Sequence, residues 1–186
     1  MNHGLIHSEL IYKGRAFDVR KDVVRLPGGK THAFDIIDHR PAVTMIPLNE
    51  HRQICFIRQY RHAAGKELLE LPAGVLEAGE EPANGAQREM REEVGMSAKR
   101  LRKIGEFYLA PGYSTEKMHV FLAEELLPDP LPKDEDEYLS VESIPIPEAY
   151  HKVRINQIED AKSISALLLA LPYFVESGEK PFTTLD

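Results

Sequence analysis

The chain has 186 residues, 42% of them apolar, and a formal net charge of −7. This is material for one real core with room for a small accessory sheet, and an acidic balance, with a pI near 5.6, excludes a nucleic-acid backbone as main partner because that needs a basic stripe. A single cysteine excludes an intramolecular disulfide, and no signal-like or membrane-length apolar stretch is present, so a cytoplasmic chain with no membrane partner is expected.

Short strand-like runs fill the first half, at 5–13, 16–26, 31–38, 42–48 and 53–60, with turns at Pro27-Gly28-Gly29 and Asn49-Glu50-His51. Cys55 lies in the apolar run Ile54-Cys55-Phe56-Ile57 and is expected to be inert packing. Residues 66–73 read as a further strand. Pro82 suits the first turn of a helix and Gly95 its C-terminal cap, so 82–94 is predicted to be one helix. Strands at 103–109 and 117–123 follow, separated by Pro111-Gly112, and then a proline- and acid-rich loop at 128–137. Helical periodicity runs from 158 to 174, with Leu167, Leu168 and Leu171 on one apolar stripe. The expected class is α+β, a mixed sheet flanked by two helices.

Residues 74–96 read GVLEAGEEPANGAQREMREEVGM. On a helix, Glu89 stands four residues from Glu93 and three from Glu92, which puts three carboxylates on one side. Like charges this close repel, and clustering them is costly unless a cation compensates. Carboxylate oxygens that leave room for water are what Mg2+ accepts. Arg88, four before Glu92, is within reach to orient it. From Glu67 to Glu93 there are eight Glu and two Arg with no Asp or Lys, which accounts for most of the chain's net charge. Such a pocket would repel a phosphate until divalent ions invert its sign.

This segment resembles the Nudix box, G-x(5)-E-x(7)-R-E-U-x-E-E-x-G-U, at every specified position: Gly74, Glu80, Arg88, Glu89, Glu92, Glu93 and Gly95, with Met90 and Met96 as the apolar U residues. Seven such identities would coincide in a chain this long on the order of once in a million. The flanking segments Arg58-Gln59-Tyr60-Arg61, Glu70-Leu71-Pro72-Ala73-Gly74 and Ala110-Pro111-Gly112-Tyr113-Ser114-Thr115-Glu116 are similar to the ADP-ribose and nucleoside-diphosphate-sugar pyrophosphatase branch. Asn84 and Gly85 depart from its usual helix formers, and Val94 from its usual Thr.

The resemblance implies a Nudix α/β/α sandwich, with 1–40 as an N-terminal antiparallel β extension that dimerises and 41–186 as the catalytic domain. It implies metal ligation by the Ala73 carbonyl, Glu89, Glu92 and Glu93. An acidic loop, matched by Asp134-Glu135-Asp136-Glu137, supplies a base from Glu135 or Glu137, and the resemblance adds Glu137 to the metal ligands. Arg61 and Glu116 match substrate contacts, with Arg58 and Glu70 beside them, and Arg88 belongs to the catalytic set. The implied reaction is Mg2+-dependent hydrolysis, with Mn2+ as a substitute, of ADP-ribose or a nucleotide sugar to a nucleoside monophosphate and a sugar phosphate. Other open readings are GDP-mannose or a dinucleoside polyphosphate as substrate, or a non-catalytic ADP-ribose-binding module. The partners implied are the nucleotide-sugar substrate and a second copy of the chain.

Overall fold

The computed structural model of the chain describes residues 4–132, 138–179 and 181. It divides into two compact units, residues 1–41 with 107–118 and residues 42–106 with 119–186.

In the first unit, β1 (Gly4–Lys13), β2 (Asp18–Arg25) and β3 (Thr31–Asp38) form an antiparallel meander. The β2–β3 register is unbroken from Asp18 opposite Asp38 to Arg25 opposite Thr31, whereas β1 slips at Leu5/His7 and again at Leu10/Tyr12. Such bulges turn apolar residues toward both faces, and every residue of β1 is exposed, Leu5, Ile6, Leu10, Ile11 and Tyr12 included. Residues 107–118, which the sequence reading grouped with 41–186, belong to this unit. Ile37 donates its N–H to Tyr113 O at 2.7 Å and accepts from Thr115 N at 3.0 Å.

The second unit begins with β4 (Ala42–Pro47), β5 (Gln53–Arg61), β6 (Lys66–Glu70) and β7 (Ala73–Val75). Next come α1 (Pro82–Glu89), a π-helical turn over Met90–Val94, and β8 (Met96–Tyr108) and β9 (Lys117–Pro128), of which residues 107–108 and 117–118 are counted in the first unit. β10 (Leu139–Pro145), α2 (Ile146–Arg154) and α3 (Ala161–Glu176) complete it. Two sheets result, ordered β10-β5-β6 and β7-β4-β9-β8.

β4 is buried at all six positions, as a continuous apolar run predicts for a strand covered on both faces. Val43 and Met45 pack with Leu76, Ala86 and Met90 on the α1 side. The pleat sends Ala42, Thr44 and Ile46 the other way, and α3 also packs on β4. This is the expected layering of helix, sheet and helix. Gly85 has its reason here: a Cβ would fall 2.3 Å from Leu76 Cδ2, so a residue that weakens a helix by about 1 kcal/mol relative to Ala lets Leu76 seat against it.

Five elements differ from the sequence expectation. The strand predicted at 66–73 breaks after Glu70, because Pro72 has no N–H to continue a ladder. Its carbonyl instead accepts from Met45 N at 3.0 Å and Thr44 Oγ1 at 3.1 Å, and the chain changes sheets. The predicted helix 82–94 is α-helical only to Glu89; Gly95 N then bonds Met90 O, five residues back. On α3 the buried face is Ser163, Ala166, Leu167, Ala170 and Phe174. Leu168 is 57% exposed, since adjacent residues on a helix stand about 100° apart and cannot share a face with Leu167. Finally, β10 and α2 carry no strong period: β10 is an edge strand with mixed exposure, and α2 starts at an Ile-Pro step suited to a helix's first turn.

Ser163, fully buried, accepts a hydrogen bond from Leu71 N at 2.7 Å through its hydroxyl. Ser163→Ala leaves that N–H without its partner and should lower stability by about 1–3 kcal/mol, read as a shift in urea midpoint. An unchanged midpoint would show that the bond contributes nothing net.

Candidate active site

The centre of the site is Arg88, one turn before the end of the box helix. Its Nε and Nη2 donate to the two oxygens of Glu80, each at 3.0 Å, and its Nη1 donates to Glu89 Oε1 at 2.7 Å and Glu92 Oε2 at 3.0 Å. Nη2 also reaches Val75 O at 3.2 Å. Glu80 is further fixed by Glu77 N at 2.9 Å. The bonds from Arg88 hold the Glu80 carboxyl below its ordinary range, and Glu80 in return keeps the guanidinium firmly protonated. The pairing of Arg88 with Glu92 was expected from spacing. The bidentate hold on Glu80 was not, because those residues are eight apart and meet across the turn that precedes the helix.

Glu93 leaves the same helix end toward the interior. It is 2% exposed, and its Oε2 accepts from Ala73 N at 2.9 Å. Glu89 lies against the next residue of β7: a Cβ on Gly74 would fall 1.9–2.2 Å from the Glu89 carboxylate atoms. Gly74 is therefore the condition for Glu89 being where it is. The step Ala73–Gly74 thus has one box glutamate bonded to it and a second packed on it, while Glu92 is joined to Glu89 through Arg88.

These donors suit a hard divalent cation. The side-chain donors are all carboxylate oxygens, with no thiolate or imidazole among them, and one guanidinium balances only part of their charge. Among the described residues no three acidic or histidine side chains enclose a cation by themselves. A small hard divalent ion that keeps several waters and completes its shell with phosphate oxygens, as Mg2+ does, tolerates this. Glu89, Glu92, Glu93 and Ala73 are the residues that would hold it.

Next to this cluster lies a second one. Arg61, at the end of β5, donates Nε to Glu70 Oε1 and Nη2 to Glu70 Oε2, both at 2.8 Å. Lys162 Nζ also bonds Glu70 Oε2 and donates to Asp160 Oδ1 at 2.9 Å. Burial alone would push the Glu70 carboxyl up, but the bonds from Arg61 and Lys162 outweigh it and the group is held below its ordinary value. Glu70, and more weakly Glu93 and Asp160, keep Arg61 charged. Arg58 points elsewhere and pairs with Glu142 on the neighbouring β10 at 2.9 Å. Glu116 is half-buried in the first unit, where its N–H donates to Ser114 Oγ at 3.2 Å. Glu135 and Glu137 lie outside the described residues. Of the surface cavities, one of about 400 Å3 lined by Arg52, Arg100 and Glu124 contains none of these side chains.

Sequence reasoning missed Glu80 as the main partner of Arg88, and Lys162, Asp160 and Ser163 altogether. Asp160 with Ser163 three residues on is a legible helix start, but nothing local links it to Glu70, 92 residues from Lys162.

Residues 38–167 match the NUDIX domain. The chain belongs to the NUDIX domain family. It is 38% identical to an ADP-ribose pyrophosphatase of Bacillus subtilis over 164 residues, 87% of this chain and 89% of that one. To an ADP-ribose pyrophosphatase of Mycobacterium tuberculosis it is 36% identical over 166 residues, 88% of this chain and 80% of the relative. Among solved structures, an ADP compounds hydrolase superposes with a TM-score of 0.87 at 25% identity, covering 97% of this chain and 98% of the other. Its Nudix box is thus set in an α+β Nudix fold that extends through nearly the whole chain.

The pairing of Glu70 with Arg61 and Lys162 gives a test of how the stability of this Nudix chain depends on pH. A carboxyl held below its ordinary value near 4.5 contributes stability that is present in full above that value and is lost as pH falls through its folded value. Glu70→Gln should therefore be less stable than wild type at neutral pH, and the gap between their urea midpoints should close progressively below pH 4.5. A gap that is constant with pH would show that no such linkage exists.

Proposed function

We propose that this Nudix chain is a divalent-metal-dependent pyrophosphohydrolase acting on ADP-ribose or a related nucleoside diphosphate sugar, with Mg2+ as the metal and Mn2+ as a substitute. The observation that carries the reading is the intact box, with Glu89, Glu92 and Glu93 disposed around Arg88 and the Ala73–Gly74 step, in a chain alignable with ADP-ribose pyrophosphatases over most of its length. The proposed location is the cytoplasm, in keeping with a lone buried thiol at Cys55.

Bound at Ala73, Glu89, Glu92 and Glu93, a divalent cation would offset the charge of the carboxylates and of the pyrophosphate. Arg88 holds Glu89 and Glu92 in place before substrate arrives, so that little reorganisation is left for the reaction. Arg61 offers its guanidinium to a phosphate by charge-assisted bonds, and Glu116 accepts from a ribose or sugar hydroxyl. Glu135 or Glu137 takes the proton of the attacking water. The water attacks one phosphorus in line with the bridging oxygen, which leaves with the other phosphate.

A panel of ADP-ribose, UDP- and GDP-sugars and a dinucleoside polyphosphate, followed by product chromatography, tests the reading. ADP-ribose should give AMP and ribose 5-phosphate, whereas ADP plus free ribose would contradict cleavage between the phosphates. Glu93→Gln should abolish turnover while leaving the fold intact, and Glu135→Gln or Glu137→Gln should lower kcat by about 10²–10⁴-fold. Near-native turnover by Glu93→Gln at saturating Mg2+ would remove the assignment.

The reading also includes a homodimer formed through the N-terminal strands. The support is β1, an edge strand on which Leu5, Ile6, Leu10, Ile11 and Tyr12 are each exposed, and an exposed apolar edge strand is a template for pairing with another chain. Sedimentation at micromolar concentration should give roughly twice 21.1 kDa, and a monomer there would eliminate the dimer.

A further inference from the structure

Glu70 is a carboxylate 2% exposed, and it supports an arginine whose side chain is 41% exposed. An anion so buried must be fully paired to be tolerated. Arg61 supplies two bonds to it along one edge of its guanidinium, which fixes the plane of the fork and leaves the Nη1 side for an anion. Lys162 supplies the other partner. It is itself only 11% exposed and is tied to Asp160, whose Oδ1 also caps α3 by accepting from Ser163 N at 3.0 Å. Ser163 Oγ in turn accepts from Leu71 N. The first turn of α3 is therefore bonded to the Glu70 side chain and to the backbone of the residue after it.

The charge balance gives Lys162 its importance. Arg61 and Lys162 against Glu70 and Asp160 form a neutral group. With Lys162 removed, two carboxylates face one guanidinium, the group turns net negative, and Arg61 is held entirely by Glu70 beside an anionic substrate.

We propose that Lys162, acting through Glu70, is a positioning residue that presents the Arg61 guanidinium to the pyrophosphate of the substrate. The proposal rests on the pyrophosphohydrolase reading above. Arg61 is the group in contact with substrate, and Lys162 touches none.

The test is steady-state kinetics on whichever member of the substrate panel wild type turns over. Lys162→Met should raise KM about tenfold while kcat stays within about threefold, because a lost ground-state contact to phosphate appears in KM. Lys162→Arg, which keeps the charge, should restore KM. Because the effect passes through Arg61, the double variant Arg61→Ala/Lys162→Met should be no worse than Arg61→Ala alone. A role confined to holding the fold together would lower the melting temperature and leave KM unmoved. If Lys162→Met does not fold, Glu70→Gln carries the same test, with a KM rise that vanishes in the Arg61→Ala background. An unchanged KM in a folded variant, or effects that add independently, overturns the proposal while leaving the function standing. A wild type that turns over nothing in the panel overturns the function, and the proposal with it.

Discussion

Everything at the box depends on one guanidinium reconciling carboxylates that would otherwise repel. Arg88 meets Glu80, Glu89 and Glu92 with three different nitrogens and still reaches a backbone carbonyl at Val75. A lysine could not do this, because an ammonium is a point charge, while the planar fork serves acceptors on two edges and at its tip at once. Its partners come from different stretches: Glu80 from the turn before the helix, Glu89 and Glu92 from the helix end. Arg88 thus fixes the loop to the helix as well as the glutamates to one another. Partly buried ion networks of this kind are weak sources of net stability. What this one supplies is a defined orientation for three acids.

The second constraint is the crossing between sheets from Glu70 to Gly74. Pro72 ends one ladder, and its carbonyl starts contact with β4 through Met45 and Thr44. Ala73 N is bonded to the buried Glu93, and Leu71 N to Ser163. Leu71 N, Pro72 O and Ala73 N, at the break between the ladders, thus each find a specific side-chain or strand partner, as buried polar groups must. Gly74 then permits the approach of Glu89. A loop crossing of this length would ordinarily be a soft spot. Here α1, α3 and β4 all hold it.

How much of this was legible in the chain follows from the range of the interactions. The alternating strands and the long buried run of β4 were readable because pleating repeats every second residue, and the box because its spacing is fixed by one turn of helix. The failures share a cause. Leu168 was placed on the wrong face because three leucines outweighed the small residues Ser163, Ala166 and Ala170, although a close-packed sheet contact selects small residues over greasy ones. The break at Pro72 and the edge strand β10 depend on which sheet accepts the chain, a tertiary choice that no local period records. Lys162 and Glu70 are 92 residues apart, and each read alone is an ordinary surface charge.

Two neighbouring ion clusters differ in balance, one acidic and one neutral, and the contrast suits a substrate that is itself a polyanion handled with a cation. Around Arg88 the acids outnumber the base, so the group has oxygen capacity left over for a hard cation. Around Glu70 the charges match, so Arg61 stays protonated and fixed without being neutralised by an excess of acid. Long-range attraction between the two is small in water but larger where both are partly buried, and Arg61 does feel Glu93. On the proposed reading, a pyrophosphate bridging the clusters would replace part of that mutual attraction with its own bonds to each. Neither cluster alone could bind it well: the acids would repel it, and a single arginine is too little charge for two phosphates. The helix ends that build them, the C-terminus of the box helix and the N-terminus of α3, are therefore joined in function by the same short crossing, Glu70 to Gly74, that joins them in structure.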